Sequence, residues 1–85
     1  MISVRCLGHI GTSVGSREVE FDDEELDATE IVEKLRAASG SGDPGFTKYN
    51  TLVMVEDGEA FVPASVGRKV KAGQHVVLIP FSHGG

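Results

Sequence analysis

The last five residues, Phe81-Ser82-His83-Gly84-Gly85, place a group that could be activated at the end of the sequence. Five extended residues reach about 17 Å, and glycines without a Cβ can thread a narrow cleft. The Gly85 carboxylate is unhindered but is a poor acylating agent by itself. Joined to AMP it becomes a mixed anhydride, which a sulfur or amine nucleophile can attack. Gly85 is therefore a candidate for activation by another protein.

The other side chains that could do chemistry do not form a recognisable metal, nucleophile or phosphate site. Cys6 and His9 are close in sequence, but the chain has no second pair with metal-ligand spacing, so no metal site is expected. Cys6 alternates with Ile2 and Val4, which predicts a small buried hydrophobe rather than a nucleophile. Residues 11–15 faintly resemble a phosphate-binding loop, but they lack the Lys-Ser/Thr ending and a following helix.

Short strands are predicted to position the end of the chain. Residues 2–7 and 17–21 alternate in polarity, which predicts a β-hairpin whose connection, residues 8–16, is a long turn-rich loop. Three further strands are predicted at Thr51–Val55, Ala60–Pro63 and His75–Pro80.

One helix is predicted, and its start is well specified. Asp27 is expected to be the N-cap and Glu30 to complete a capping box, while Leu26 and Ile31 are spaced for a hydrophobic staple. Gly40 is expected to end the helix. One helix covers one face of a small sheet. The expected fold class is therefore α+β, with a mixed sheet of four to five strands packed on one main helix.

The last strand predicts an apolar surface outside the core. If Val76 and Leu78 pack under the helix, the alternate residues of that strand point away from it. The predicted exposed patch, typical of a partner surface, consists of Leu7, Ile79 and Phe81. Alternatively, the loop of residues 39–50, which contains Phe46 and Tyr49, folds over this face.

Length and composition limit the class of protein. The chain has 85 residues, 40% hydrophobic and 25% charged, which predicts one globular domain at most. Such a domain has little room for an enclosed active site, which favours a carrier or binding module over an enzyme. No membrane-spanning run or signal peptide is visible, and the single cysteine is typical of a reducing compartment, so a cytoplasmic location is expected.

The charge is unevenly distributed. The net charge is −5, and nine of the 13 acidic residues lie within residues 18–33, which contain no Lys or Arg. This argues against nucleic acid as the main partner, because phosphate binding needs a basic face. The acidic segment could steer a basic patch of a partner protein, or it could be a solvated surface around the helix start.

Four stretches carry a family resemblance over essentially the whole chain: residues 1–5, 28–35, 70–76, and 77–80 closing on Gly84-Gly85. They resemble the opening strand, the helix, the last turn and the tail of the ubiquitin-like β-grasp sulfur carriers and small modifiers. This group includes the small subunit of molybdopterin synthase, the thiamine-pathway sulfur carrier, the archaeal small modifier proteins and the eukaryotic ubiquitin-related modifier.

The resemblance implies a function centred on the tail. Members of the group are adenylated at the terminal glycine by an E1-like enzyme that uses ATP. They then become thiocarboxylates that donate sulfur, or are conjugated to protein lysines. By resemblance, Gly85 is the reacting residue, Gly84 accommodates the cleft, and Leu7 and Ile79 dock the partner enzyme. His83 either lines that enzyme's channel or is solvated.

The implied organisation is a β-grasp domain at residues 1–80 and a flexible tail at residues 81–85. The chain is expected to bind no cofactor itself, since ATP and the sulfur donor are used by the activating partner. It is expected to have no catalytic residues and to be a monomer when free. The expected partners are the E1-like enzyme and either target-protein lysines or a large synthase subunit, with no membrane or nucleic-acid partner.

Two departures from the molybdopterin-type carriers leave the pathway open. Those carriers usually have Pro-Pro before the tail and Gly-Asp in the last turn, where this chain has Pro80-Phe81 and Gly73-Gln74. A synthase subunit without a conjugation role, and a non-covalent β-grasp interaction domain whose Gly-Gly is incidental, therefore stay as alternatives.

Overall fold

Residues 1–39, 45–64 and 67–81 are described by a computed structural model of the chain. The elements in these ranges follow in the order β1 (Ile2–Cys6), α1 (His9–Val14), β2 (Glu18–Phe21), β3 (Glu25–Asp27), α2 (Ala28–Ala38), β4 (Thr51–Asp57), β5 (Ala60–Pro63), β6 (Lys69–Lys71) and β7 (His75–Pro80).

Five of the strands form one mixed sheet in the order β2-β1-β7-β4-β5. β1 and β7 run parallel, and the other neighbours are antiparallel. The helix α2 carries the residues that complete the core beside this sheet. The predicted α+β fold, with a mixed sheet on one main helix, is confirmed.

The start of α2 is the one predicted from the sequence. The Thr29 backbone N–H donates to Asp27 Oδ1 over 2.8 Å, and the Asp27 N–H donates to Glu30 Oε1 over 3.0 Å. This capping box satisfies two backbone donors that the first turn leaves without helical partners. Ile31 and Leu35 then project from one face of the helix, and both are fully buried.

Strands that the sequence does not predict flank α2 in the fold, and the helix itself ends two residues before Gly40. The helix ends at Ala38, where the Ser39 N–H and hydroxyl both donate to the Arg36 carbonyl oxygen, and Gly40 lies outside the described residues. Leu26 directly precedes the N-cap and is buried in the same core as Ile31, as a staple residue would be, and it also lies in β3 opposite Val70 of β6. β3 and β6 form a separate two-stranded ribbon that the sequence prediction missed.

The predicted loop between β1 and β2 contains a short helix, α1. The two strands do pair as a hairpin, but Ile10 of α1 is fully buried in the core. Gly11 is also buried, and a Cβ at this position would lie 2.8 Å from the Cys6 carbonyl oxygen. A residue without a side chain therefore lets α1 lie directly against the end of β1.

The loop after α2 does not cover the outer side of the sheet in its described part. Phe46 is 1% exposed and belongs to the core cluster, whereas Tyr49 is 81% exposed. The following strand, predicted at Thr51–Val55, continues to Asp57 because β5 pairs with its last residues. None of the helices in the described ranges is long and apolar enough to cross a membrane.

Candidate docking face and tail root

The central strands divide their side chains between two faces. On β1 the residues Ile2, Val4 and Cys6 are buried, and on β7 Val76 and Leu78 are buried. The residues between them point to the opposite side, because side chains alternate along a strand. We call that side the outer face. The predicted orientation of the last strand is confirmed.

An apolar zone occupies one end of the outer face. The Leu7 N–H donates to the Leu78 carbonyl oxygen over 3.1 Å, which places Leu7 beside Ile79, and Ile79 pairs with Leu52 on β4. Leu7 is 38% exposed, and the other two residues are half-buried. We call these three residues the apolar zone. It contains two members of the predicted patch, Leu7 and Ile79, on adjacent strands.

Leu52 was not among the predicted site residues, although its sequence context contains the signal. Residues 52–55 are all apolar, as are residues 76–79 of β7. Successive side chains of a strand point to opposite faces of the sheet. A run of consecutive apolar residues therefore places apolar side chains on both faces. Residues 52–55 therefore indicate apolar side chains on both faces of β4, as residues 76–79 do for β7.

The other end of the outer face is charged. The Arg5 guanidinium lies 3.0 Å from the Glu18 carboxylate on the neighbouring strand, and both side chains are largely exposed. His75, Glu56 and Phe61 line the same depression as this pair. An exposed ion pair of this kind adds at most about 1 kcal/mol to stability. The outer face thus has an apolar end and a charged end.

The chain leaves the sheet at Phe81, beside Asn50. The Phe81 N–H donates to the Asn50 carbonyl oxygen over 2.9 Å. The Asn50 side chain accepts from the Thr47 N–H over 2.7 Å and from the Thr51 hydroxyl over 3.3 Å. We call Asn50 and Phe81 the tail root. Phe81, the third predicted patch residue, is 46% exposed.

The turn after β1 packs against the residue before the tail root. Gly8 has a φ of +56°, and a Cβ there would lie 3.1 Å from Pro80 Cγ. A side chain would be strained by the left-handed backbone and crowded by the proline ring. Leu7 and Pro80 are therefore held at the same end of the sheet. His83, Gly84 and Gly85 lie outside the described residues, so their roles stay predictions.

Cys6 is a core residue. Its side chain is 2% exposed, and burial raises the pKa of the thiol, because the thiolate would lose its hydration. A buried neutral thiol is a poor nucleophile. The predicted core role of Cys6 is confirmed. Across the described ranges, no group of three His, Cys, Asp or Glu side chains is arranged to hold a metal ion.

The acidic segment lies mostly on the surface. Three of its carboxylates face cations: Glu18 beside Arg5, Asp23 at 4.0 Å from Lys34, and Glu33 at 3.2 Å from Arg36. These exposed pairs leave the segment acidic overall. Both interpretations of it, a steering surface and a solvated one, agree with this exposure.

Comparisons with known proteins identify the fold. The crystal structure of SAMP1 from Haloferax volcanii superposes with a TM-score of 0.68 and 24% identity, covering 99% of this chain and 98% of the other. A second crystal structure, of H. volcanii small archaeal modifier protein 1, gives a TM-score of 0.66 and 24% identity over 95% and 97%. No protein-family model and no curated protein matches the chain. The ubiquitin-like fold implied by the sequence resemblance is confirmed.

Proposed function

We propose that the chain is a ubiquitin-like modifier and sulfur carrier whose terminal glycine, Gly85, is activated by an E1-like adenylyltransferase. The observation that carries the proposal is the shared location of the apolar zone and the tail root at one end of the sheet. A partner seated on Leu7 and Ile79 therefore stands beside the point where the tail begins.

The proposed chemistry uses the chain as a substrate. The Gly85 carboxylate attacks the α-phosphorus of ATP and displaces pyrophosphate, which forms an acyl adenylate. A sulfur nucleophile at the oxidation level of sulfide then displaces AMP and leaves a thiocarboxylate. Alternatively, a lysine amine of a target protein displaces AMP, loses a proton and forms an isopeptide bond. In this proposal Gly84, which has no side chain, allows the tail to enter the enzyme's cleft, and His83 lines the channel that leads to it.

Two features of the fold support the proposal. The tail root is fixed to the sheet by the hydrogen bond between Phe81 and Asn50, so the start of the tail has a defined position. Gly85 follows Phe81 by four residues, so the reacting carbon lies within about 14 Å of this anchor. The folded domain thus offers a surface for the enzyme, and the segment from Phe81 to Gly85 sets the maximum distance between that domain and the reacting carbon. We expect the reaction to take place in the cytoplasm.

Intact mass spectrometry tests the proposal. The purified chain is incubated with the E1-like adenylyltransferase of its own host, ATP and sulfide. We expect ATP-dependent pyrophosphate exchange and replacement of one oxygen by sulfur at the C-terminus. Deletion of Gly85 should abolish both, and so should an extension of a few residues after Gly85.

The same variants separate the two fates of the activated tail. Gly85-dependent adducts on a denaturing gel from host cells indicate conjugation, whereas thiocarboxylate without such adducts indicates sulfur transfer alone. Normal function of the chain lacking Gly84 and Gly85 would overturn the proposal in favour of a non-covalent interaction domain.

A further inference from the structure

A rigid turn next to the tail root displays an exposed aromatic ring. Tyr49 is 81% exposed, and its backbone N–H donates to Thr47 Oγ1 over 3.1 Å. The Asn50 N–H donates to the Thr47 carbonyl oxygen, and the Asn50 side chain accepts from the Thr47 N–H. Three hydrogen bonds therefore fix the backbone that carries the ring. A tyrosine held in this way loses little conformational freedom on binding.

Lys48 places a cation on the same turn. Its Nζ lies 5.3 Å from the centroid of the Tyr49 ring, which is cation–π distance. The pair offers an aromatic ring, a phenolic hydroxyl and a positive charge held over that ring. The complementary surface is an apolar shelf bordered by a carboxylate, which can pair with the ammonium group and accept from the hydroxyl.

The position of the turn relates this pair to the tail. β4 and β7 pair with Thr51 opposite Pro80, and the Asn50–Phe81 hydrogen bond continues that register by one residue. Tyr49 is thus one residue from the anchor of the tail. A protein that reacts with Gly85 must come within about 14 Å of Phe81, since Gly85 is the fourth residue after Phe81.

We propose that Tyr49, with the Lys48 ammonium group over its ring, is a recognition element for the activating enzyme, which presents an apolar shelf bordered by a carboxylate. This inference rests on the proposed function and adds a specificity-determining contact to it. Asn50 of the tail root belongs to the turn, and Leu52 of the apolar zone follows it by two residues, so a partner seated on the apolar zone comes close to the turn. Tyrosine is among the residues that most often dominate binding energy at interfaces.

Phe61 provides a matched control for Tyr49. It is an exposed aromatic residue, at 44% exposure, on the charged end of the outer face. Phe61 pairs with Glu56, which lies about 17 Å along β4 from Thr51, whereas Tyr49 lies in the turn before Thr51. A contact specific to the tail end should respond to Tyr49 and not to Phe61.

ATP–pyrophosphate exchange with the host's E1-like adenylyltransferase tests the inference, with KM for the chain and kcat measured separately. Tyr49→Ala should raise KM about 10-fold or more and leave kcat within about twofold. Tyr49→Phe, which keeps the ring, should stay within about threefold of wild type. Lys48→Glu should raise KM about fivefold at low salt and less at high salt, because charge repulsion is screened. Phe61→Ala should leave KM within about twofold.

Each outcome bears on a different claim. An unchanged KM for Tyr49→Ala with an active wild-type chain overturns this inference and leaves the proposed function standing. No exchange with the wild-type chain overturns both. A wild-type dimer in sedimentation that Tyr49→Ala abolishes, with KM unchanged, assigns the ring to self-association and overturns the inference. Thermal unfolding checks that each variant is folded, as expected for exposed positions.

Discussion

The Phe81 N–H and the Asn50 carbonyl oxygen, 2.9 Å apart, form the last described hydrogen bond between the sheet and the tail. The carbonyl is held in place because the Asn50 side chain accepts hydrogen bonds from Thr47 and Thr51. Asn50 thus links the turn that displays Tyr49 to the residue that begins the tail.

Asn50→Ala is expected to lower the free energy of unfolding by about 1–2 kcal/mol, because the partly buried Thr47 N–H loses its acceptor. Asn50→Asp keeps an acceptor oxygen at the same place and should lose less. Urea unfolding of both variants measures the difference. Equal losses in the two variants would show that the side-chain oxygen does not hold the turn.

Leu7→Asp is expected to weaken activation of the tail without unfolding the domain. Leu7 is 38% exposed, so the variant should lose only about 1 kcal/mol of stability, while a charge on the apolar zone should raise KM for activation about 10-fold. Phe61→Asp, at a residue of similar exposure on the charged end, is the matched control. Equal KM values for the two variants would remove the apolar zone from the docking surface.

Cys6 is expected to make stability fall at alkaline pH. Burial raises its pKa in the folded state above the ordinary value of 9.0. The unfolded thiol therefore loses its proton first as the pH rises, and the unfolded state gains stability. The contribution of Cys6 is fully present below pH 9.0 and is lost as the pH rises from there through the folded pKa, with a maximum slope of about 1.4 kcal/mol per pH unit.

Urea unfolding of wild type and Cys6→Ala between neutral and alkaline pH isolates this effect, because the variant keeps every other titrating group. The wild-type chain should lose more stability than the variant over the alkaline part of the range. Parallel curves would contradict the burial of the thiol, and so would rapid alkylation of Cys6 in the folded protein.

Gly11→Ala is expected to destabilise the domain, although alanine is the better helix former by about 1 kcal/mol. The new Cβ would lie 2.8 Å from the Cys6 carbonyl oxygen, a backbone atom that cannot move without shifting β1 or α1. Overpacking of this kind costs about 1–3 kcal/mol. Thr12→Ala, at the next position of α1 and exposed, should be neutral or slightly stabilising. Thermal unfolding should therefore show a lower melting temperature for Gly11→Ala and an unchanged or slightly higher one for Thr12→Ala.

The sequence predicts those elements whose signals are local. The capping box at Asp27 needs only residues three apart, and the alternation of Ile2, Val4 and Cys6 defines both a strand and its buried face. The same alternation in β7 separates Val76 and Leu78 from Ile79. The alternation therefore predicts the outward orientation of two of the three residues of the apolar zone, Leu7 and Ile79.

The missed elements depend on contacts distant in sequence. β3 and β6 are three residues each, and each has only one buried apolar residue, Leu26 or Val70, so no period can be recognised. α1 contains Gly11 beside Thr and Ser, a composition typical of a turn. Its glycine is explained by the close approach to Cys6, which only the folded chain shows.

The recognition role of Tyr49 could not be inferred from its neighbours either. In sequence it lies in a segment rich in Gly, Ser and Pro, where an aromatic residue could equally cover the sheet. Phe46, three residues earlier, does enter the core. The difference arises because the hydrogen bonds of Thr47 and Asn50 turn the backbone between them.

The position of β7 has a consequence for biosynthesis. It lies in the middle of the five-stranded sheet, between β1 and β4, although it follows all the other described strands in the sequence. A nascent polypeptide that has left the ribosome only as far as residue 74 lacks the strand that joins the two halves of the sheet. We therefore expect the sheet to form only after β7 has been synthesised, because both β1 and β4 pair with it.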